Sequence, residues 1–195
     1  MKVVVGLGNP GHTYHGTRHN VGFAVIQRLA ERHQVEIRQA TLSPVDRRPA
    51  SVCGDYRDGD EAVRLLMPLT MMNASGEALR TVEGPLADRL VVCDDVNLPL
   101  GTIRLRPQGS SGGHHGLESC LAVLGTDQFP RLRIGVGTDP LPRELEQFVL
   151  SPFRSDERPI AETAIEQAAD ACELWVREGM DAAMNRYNTR VQNVE

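Results

Sequence analysis

Three consecutive valines, Val3-Val4-Val5, run straight into Gly6-Leu7-Gly8-Asn9-Pro10-Gly11. No other stretch constrains the fold of this chain as tightly. An unbroken β-branched run suits a buried strand, because such side chains pack well on a pleated, covered surface. The glycines, asparagine and proline that follow end the strand in a loop, where positive φ and sharp turns are tolerated. In α/β proteins the ligand-binding groups gather beyond the carboxyl ends of such strands. Asn9 and the nearby His19 therefore stand where chemistry is expected.

Gly6-x-Gly8-x-x-Gly11 also matches the dinucleotide-binding pattern, which requires the third glycine to open a helix that receives the pyrophosphate. Here Gly11 leads into His12-Thr13-Tyr14-His15-Gly16-Thr17-Arg18-His19, which has no apolar stripe of helical period. Pro10 and Gly16 favour an ordered loop instead. The helix is expected from Asn20 to His33, with Val21, Val25 and Leu29 on one face. The cofactor reading becomes a minor alternative.

Further along, Arg38 to Pro49 reads as a surface loop, and Ala50–Tyr56 and Ala62–Met67 as a hairpin turning at Asp58-Gly59-Asp60. A helix is expected over Ala74–Val82, and a buried strand, Leu90–Cys93, delivers Asp94-Asp95 at its end. Thr102–Arg106 and Arg131–Val136 read as strands whose arginines fall two apart, on one face. Between them the glycine-rich Gln108–Gly116 loop opens a helix carrying Leu117, Leu121 and Leu124, closed by Gly125. Pro142 and Pro159 suit the first turns of two more helices, the second ending at Gly179 before a short last one around Met184–Asn188. Strands and helices alternate without an internal repeat. The expectation is one α/β domain over 1–195, a mixed central β-sheet covered by helices on both faces.

Cys53, Cys93, Cys120 and Cys172 are widely spaced, which fits neither a zinc site nor a disulfide framework and suits a reduced, cytoplasmic protein. The apolar run after Met1-Lys2 is too short for a signal peptide or a membrane span. Net charge is −5, yet residues 151–195 carry nine acids against five arginines, while 1–150 are nearly balanced. Lys2 is the only lysine, so the other twenty bases are arginines, whose planar forks suit phosphate.

Taken singly, the polar residues have bland readings. His19 alone is a loop histidine before a helix, where the partial positive charge favours the neutral ring; a carboxylate such as Asp94 would pull the other way. Asn73 alone is a helix cap, and Asn9 a turn residue before proline. Adjacent His114 and His115 do not have metal-ligand spacing, and no metal is expected. Gly109-Ser110-Ser111-Gly112-Gly113 matches G-x-S-x-G between a strand and a helix. No histidine follows His115, so a serine esterase built on Ser111 ranks second; a His19–Asp94–Ser111 triad in another chain order stays open.

Together the motifs are more specific. Gly6-Leu-Gly-Asn-Pro-Gly11, Tyr14, Thr17-Arg-His-Asn20, Met72-Asn73-x-Ser75-Gly76, Asp94-Asp95-x-x-Leu98-Pro99-x-Gly101, Gly109-Ser-x-Gly-Gly-His114 and Arg131-Leu-Arg-Ile-Gly135 follow one another in order. In these, and in Trp175 and Ala183-Met-Asn-Arg-Tyr187, the chain resembles the bacterial-type peptidyl-tRNA hydrolases from residue 1 to about 188. The resemblance implies a monomeric enzyme without cofactor or metal that cleaves the ester between a peptide and the 3′-terminal ribose of tRNA. It implies His19 as the base that activates water and Asp94 as its orienting partner. It places Asn9, Tyr14, Met72, Asn73, His114 and His115 against the substrate, and Arg104, Arg106 and Arg133 on tRNA phosphates. The family usually has Gly-Gly-His-Asn-Gly where this chain has Gly-Gly-His114-His115-Gly. A paralogue with altered substrate preference is therefore the alternative within the family, and a tRNA-binding protein without catalysis the alternative outside it.

Overall fold

A computed structural model describes residues 1–43 and 49–188. Its centre is a seven-stranded sheet in the order β2-β3-β4-β1-β5-β7-β6. The strands are β1 (Lys2–Gly6), β2 (Gln39–Leu42), β3 (Pro49–Asp58), β4 (Glu61–Pro68), β5 (Arg89–Pro99), β6 (Ile103–Arg106) and β7 (Arg131–Gly137). β1 lies between β4 and β5, parallel to both, and β5 is parallel to β7. Antiparallel strands finish both edges, β3 with β2 on one side and β6 on the other.

The valine run explains why β1 is central. Val4 packs with Val25, Ile26 and Leu29 on one face, while Val3, Val5 and Leu7 pack with Leu117, Cys120 and Phe129 on the other. The first face is covered by α1 (Val21–Arg32), α4 (Arg158–Glu178) and α5 (Met180–Tyr187). The second is covered by α2 (His115–Leu124) and a 3-10 helix, Met72–Thr81. The mixed sheet with two covered faces is as expected from the alternation of elements.

Gly6 has a packing role. A side-chain carbon on Gly6 would come within 2.3 Å of the Gly22 carbonyl oxygen, and one on Gly22 within 2.5 Å of the Leu7 and Val92 oxygens. The two glycines let α1 lie directly on β1 and β5, which brings the Arg18–Asn20 turn before α1 to the carboxyl ends of those strands. The covering helices lie on opposite faces of the sheet, α1 after β1 and α2 between β6 and β7, and the carboxyl ends of β1 and β5 open between them as a binding crevice of the usual open-sheet kind.

Four local expectations need correction. The stretch read as a loop from Arg38 contains β2, which pairs along the outer edge of β3; the pairing is long-range and leaves little trace in local pattern. The remainder of that stretch, 44–48, lies outside the described residues. The segment read as a helix from Ala74 is a 3-10 helix beginning at Met72, with the weak helix formers Asn73, Ser75 and Gly76 in its first half; the Gly76 N–H donates to Ser119 Oγ at 3.0 Å. α3 (Leu145–Val149) starts three residues after Pro142, a proline that biases Leu141 before it away from helical backbone. Finally, α1 proper starts at Val21, preceded by a 3-10 turn, Arg18–Asn20.

Candidate active site

Asn9 is set just past the end of β1 and Asp94 lies within β5, two strands that pair directly. The Arg18–Asn20 turn swings His19 over them, and His114 reaches in from the N-cap of α2. The result is a groove of about 790 Å³. Its walls include Asn9, Tyr14, His19, Met72, Asn73, Asp94, His114 and His115, so the eight residues singled out for catalysis and substrate binding meet in one place.

The Asp94 side chain is 3% exposed, and one of its oxygens, Oδ1, takes both rings: His19 Nδ1 at 2.8 Å and His114 Nε2 at 2.9 Å. The tautomers follow from the remaining bonds. His114 Nδ1 accepts the Leu117 backbone N–H at 3.2 Å, so its Nε2 carries the proton given to Asp94. His19 likewise turns Nδ1–H to the carboxylate, leaving Nε2 as the basic nitrogen toward the groove. Burial alone would push the Asp94 carboxyl up. The polar contacts with His114, then those with His19, outweigh burial and hold it well below the usual carboxylate range. The two rings sit 4.9 Å apart, tilted by 47°.

His19, Asp94 and His114 also form a cluster whose donor atoms lie within 4.8 Å of one another, close enough to consider a metal. The hydrogen bonds fit poorly with one. Both nitrogens that face Asp94 carry protons, and freeing His114 Nε2 would set an Nδ1 proton against the Leu117 N–H.

Asn9 is oriented from three sides. Its backbone N–H donates to Asn20 Oδ1 at 2.8 Å, its carbonyl accepts from Asn20 Nδ2 at 2.9 Å, and its Oδ1 accepts the Met72 N–H at 2.7 Å. The Asn9 amide nitrogen is thereby left as a donor for a ligand. Asn73 is exposed on the groove wall and does not cap its helix, whose N-cap is Met71 with no side-chain cap bond. His115 is exposed on the first turn of α2. Ser111 has other company: its hydroxyl lies 3.4 Å from Glu118 Oε1 and accepts the Gly113 N–H, and no histidine contacts it.

The three arginines separate into two kinds. Arg104 and Arg106 stand on edge strand β6, half-buried and exposed, without a hydrogen-bond or ion-pair partner among the described residues. Arg133, opposite Arg104 in the pairing of β6 with β7, holds Asp95 Oδ2 at 3.0 Å and the carbonyls of Ser110 and Ser111 at 2.7 and 3.0 Å. Its neighbour Arg131 is buried and binds the Gly109, Ser110, Asp127 and Phe129 carbonyls. These two arginines shape the glycine-rich loop beside the groove.

Sequence reasoning missed Asn20 as the residue that fixes Asn9, although it sits inside the Thr17-Arg-His-Asn20 motif. It also missed the wall supplied by Leu145, Glu146, Val149 and Leu150 on and after α3. Nothing in the local pattern of that short helix points to a ligand.

A buried carboxylate fixing a histidine over a groove at the strand ends of an open α/β sheet defines an enzyme of acid–base chemistry. The chain belongs to the peptidyl-tRNA hydrolase family, whose model matches residues 3–194. Among its relatives, the peptidyl-tRNA hydrolase of Syntrophomonas wolfei is 45% identical over 192 residues, 96% of this chain and 100% of the relative. That of Salinibacter ruber is 44% identical over 190 residues, 95% of this chain and 97% of the relative. The crystal structure of peptidyl-tRNA hydrolase from Acinetobacter baumannii superposes with a TM-score of 0.82 at 31% identity, covering 97% of this chain and 95% of that one.

Proposed function

We propose that the chain hydrolyses the ester between a peptide and the 3′-terminal ribose of tRNA, with His19 as general base. Family membership over nearly the whole chain supports the reaction. The observation that carries the mechanism is the His19 ring, bound through Nδ1 to buried Asp94 with Nε2 left to the groove. In this reading Nε2 takes a proton from water while the water oxygen adds to the ester carbonyl. The tetrahedral intermediate then collapses, the bond to the ribose 3′ oxygen breaks, and the imidazolium returns its proton to that oxygen. Asp94 keeps the ring in the required tautomer and stabilises the imidazolium as it forms.

Asn9 and Asn73 supply amide donors for the peptide carbonyl and the developing oxyanion. Tyr14, Met72, His114 and His115 shape the acyl side of the groove. Arg104 and Arg106 are available to tRNA phosphates, with Arg133 contributing beside them and holding the loop. The four cysteines are buried, and Cys93, Cys120 and Cys172 are free thiols, in keeping with a reducing cytoplasm. We read the active form as a monomer that needs no metal. No described helix is long and apolar enough to cross a membrane.

The test is release of labelled peptide from N-acylated aminoacyl-tRNA, set beside free aminoacyl-tRNA. Cleavage of the first, unchanged by a chelator and retained in Ser111→Ala, is the expected result. An acyl group trapped on Ser111 would overturn the water mechanism, and activity lost to chelation and restored by zinc would overturn its metal independence. Binding without cleavage would leave only a tRNA-binding protein.

A further inference from the structure

We propose that Arg18 is a positioning residue for this hydrolysis, holding the His19 base and the α3 wall of the groove at a fixed separation. The inference rests on the hydrolase reading above. Arg18 is 3% exposed, and both terminal nitrogens of its guanidinium hold partners, while its Nε has none among the described residues. One, Nη1, donates to the Ser151 carbonyl at 3.2 Å, to Ser151 Oγ at 2.7 Å and to the Pro152 carbonyl at 2.7 Å. The other, Nη2, forms an ion pair with Glu157, itself 4% exposed. Two rings lie against the same cation, Phe148 with its centroid at 4.3 Å and Phe153 at 5.1 Å. The backbone follows suit, with Arg18 N–H on the Ser151 carbonyl and a bridge between Thr17 and Pro152.

These partners belong to one stretch of chain. Phe148 belongs to α3, and Ser151, Pro152 and Phe153 to the segment joining it to α4. α3 has no fully buried residue of its own and packs against the Arg18–Asn20 turn. Leu145 and Val149 of α3, and Leu150 after it, line the same groove as His19. One side chain, adjacent to His19 in sequence, thus sets the distance between base and wall. A flat five-donor fork that also stacks on rings meets these requirements, whereas an ammonium does not. Burying an ion pair seldom improves stability over apolar packing, so its use here points to geometry.

The experiment compares wild type with Arg18→Lys and with the double variant Arg18→Met/Glu157→Gln. The double variant removes both buried charges together, so neither is stranded in the interior. Three quantities are read: kcat and KM on N-acetylated aminoacyl-tRNA, the thermal midpoint, and the proton resonance of His19 Nδ1–H in its bond to Asp94. Displacing a catalytic group by about 1 Å can cost roughly 10²-fold. We expect the folded double variant to lose about 10–100-fold in kcat, with a smaller change in KM and a broadened or missing His19 signal. Arg18→Lys should recover the thermal midpoint through its charge but not kcat, because the fork and the stacking are gone. Wild-type kcat in the folded double variant would overturn the proposal. So would a loss that disappears on cooling in step with the thermal midpoint. If wild type itself leaves the tRNA ester intact, the hydrolase reading falls. The His19 resonance, lost or kept in the double variant, then still decides for or against Arg18.

Discussion

α1 carries a histidine at each end, and each histidine meets a carboxylate. His19 lies in the turn before the helix and His33 is its C-cap. His19 bonds Asp94 at 2.8 Å, and His33 bonds Glu173 at 3.1 Å. What differs is what else the carboxylate does and what the ring faces. The Asp94 side chain is 3% exposed and its Oδ1 is shared with a second ring, His114; the Glu173 side chain is 15% exposed and is shared with Arg32 and Arg177. His33 stacks on Tyr56 with centroids 3.8 Å apart, so its ring face is covered, whereas His19 opens on the groove. On the function proposed above, a histidine–carboxylate pair serves chemistry at one end of α1 and packing at the other.

The largest effect should break this comparison along its main line. His19→Ala should lower kcat by about 10²–10⁴-fold, the usual worth of a general base. His33→Ala should leave kcat unchanged and reduce stability by no more than about 1 kcal/mol, since its ion pair is partly solvated and screened. Turnover on N-acylated tRNA and thermal unfolding of both variants measure this. Near-normal turnover in His19→Ala would refute the assignment of the base.

The two carboxylates should differ next, and their pH dependence carries a sign. Asp94→Asn presents an amide to two ring N–H groups, disturbs the His19 tautomer and should cost about 10²–10⁴-fold in kcat; Glu173→Gln should cost little. Because the folded-state pKa of Asp94 is depressed, its ionisation stabilises the fold at pH above the ordinary unfolded value of about 3.9. That contribution is lost as pH falls below this value toward the lower folded-state one. Denaturant midpoints measured from pH 6 downward should therefore show an acid-side decline in wild type that is shallower in Asp94→Asn.

The contrast also marks what a sequence can convey. Val3-Val4-Val5, Leu90-Val91-Val92-Cys93 and the alternating strands announce the central sheet because burial on both faces is written locally. Asn9 and His114 could be found because one follows a strand end and the other opens a helix, and Asp94 because the motifs recur in a known order, although β5 continues past it to Pro99. β2 could not, since its pairing with β3 is set at long range. Arg18 read as an ordinary base, because nothing near it in sequence discloses a partner 139 residues away. Arg133 read like Arg104 for a similar reason. The strand alternation puts both on one face, but only the folded loop brings the Ser110 and Ser111 carbonyls onto Arg133.

That distinction sharpens the comparison at the level of tRNA binding. Replacing Arg104 or Arg106 by alanine should weaken tRNA without affecting a minimal nucleoside ester. Each lost phosphate contact should reduce the slope of log affinity against log salt by about 0.7–0.9. Arg133→Ala should weaken both substrates, because it releases Asp95 and the loop as well as any phosphate contact. Affinity measured across a salt series, beside turnover of the small ester, separates the two kinds. An unchanged slope in the combined Arg104→Ala/Arg106→Ala variant would return both to ordinary surface residues.

The smallest effect concerns His115, the residue standing where the family usually has asparagine. An asparagine amide keeps one donor and one acceptor character at every pH. A histidine ring offers one of each when neutral and two donors when protonated, and that change falls between about pH 5 and 8. The ring is also bulkier, and it sits on the first turn of α2 at the edge of the groove, one residue from the His114 that holds Asp94. His115→Asn should therefore leave the fold and the order of magnitude of kcat intact. It should shift preference among acyl groups and remove one ionisation from the pH–rate profile, with the His19 ionisation kept. His33, just past the other end of the same helix that His19 precedes, is the control, since His33→Asn should move neither. If His115→Asn matches wild type in both profile and acyl range, the exposed ring merely points to solvent. If wild type is inactive on every N-acylated tRNA and His115→Asn is active, the chain is instead a paralogue with altered preference, and the histidine is what altered it.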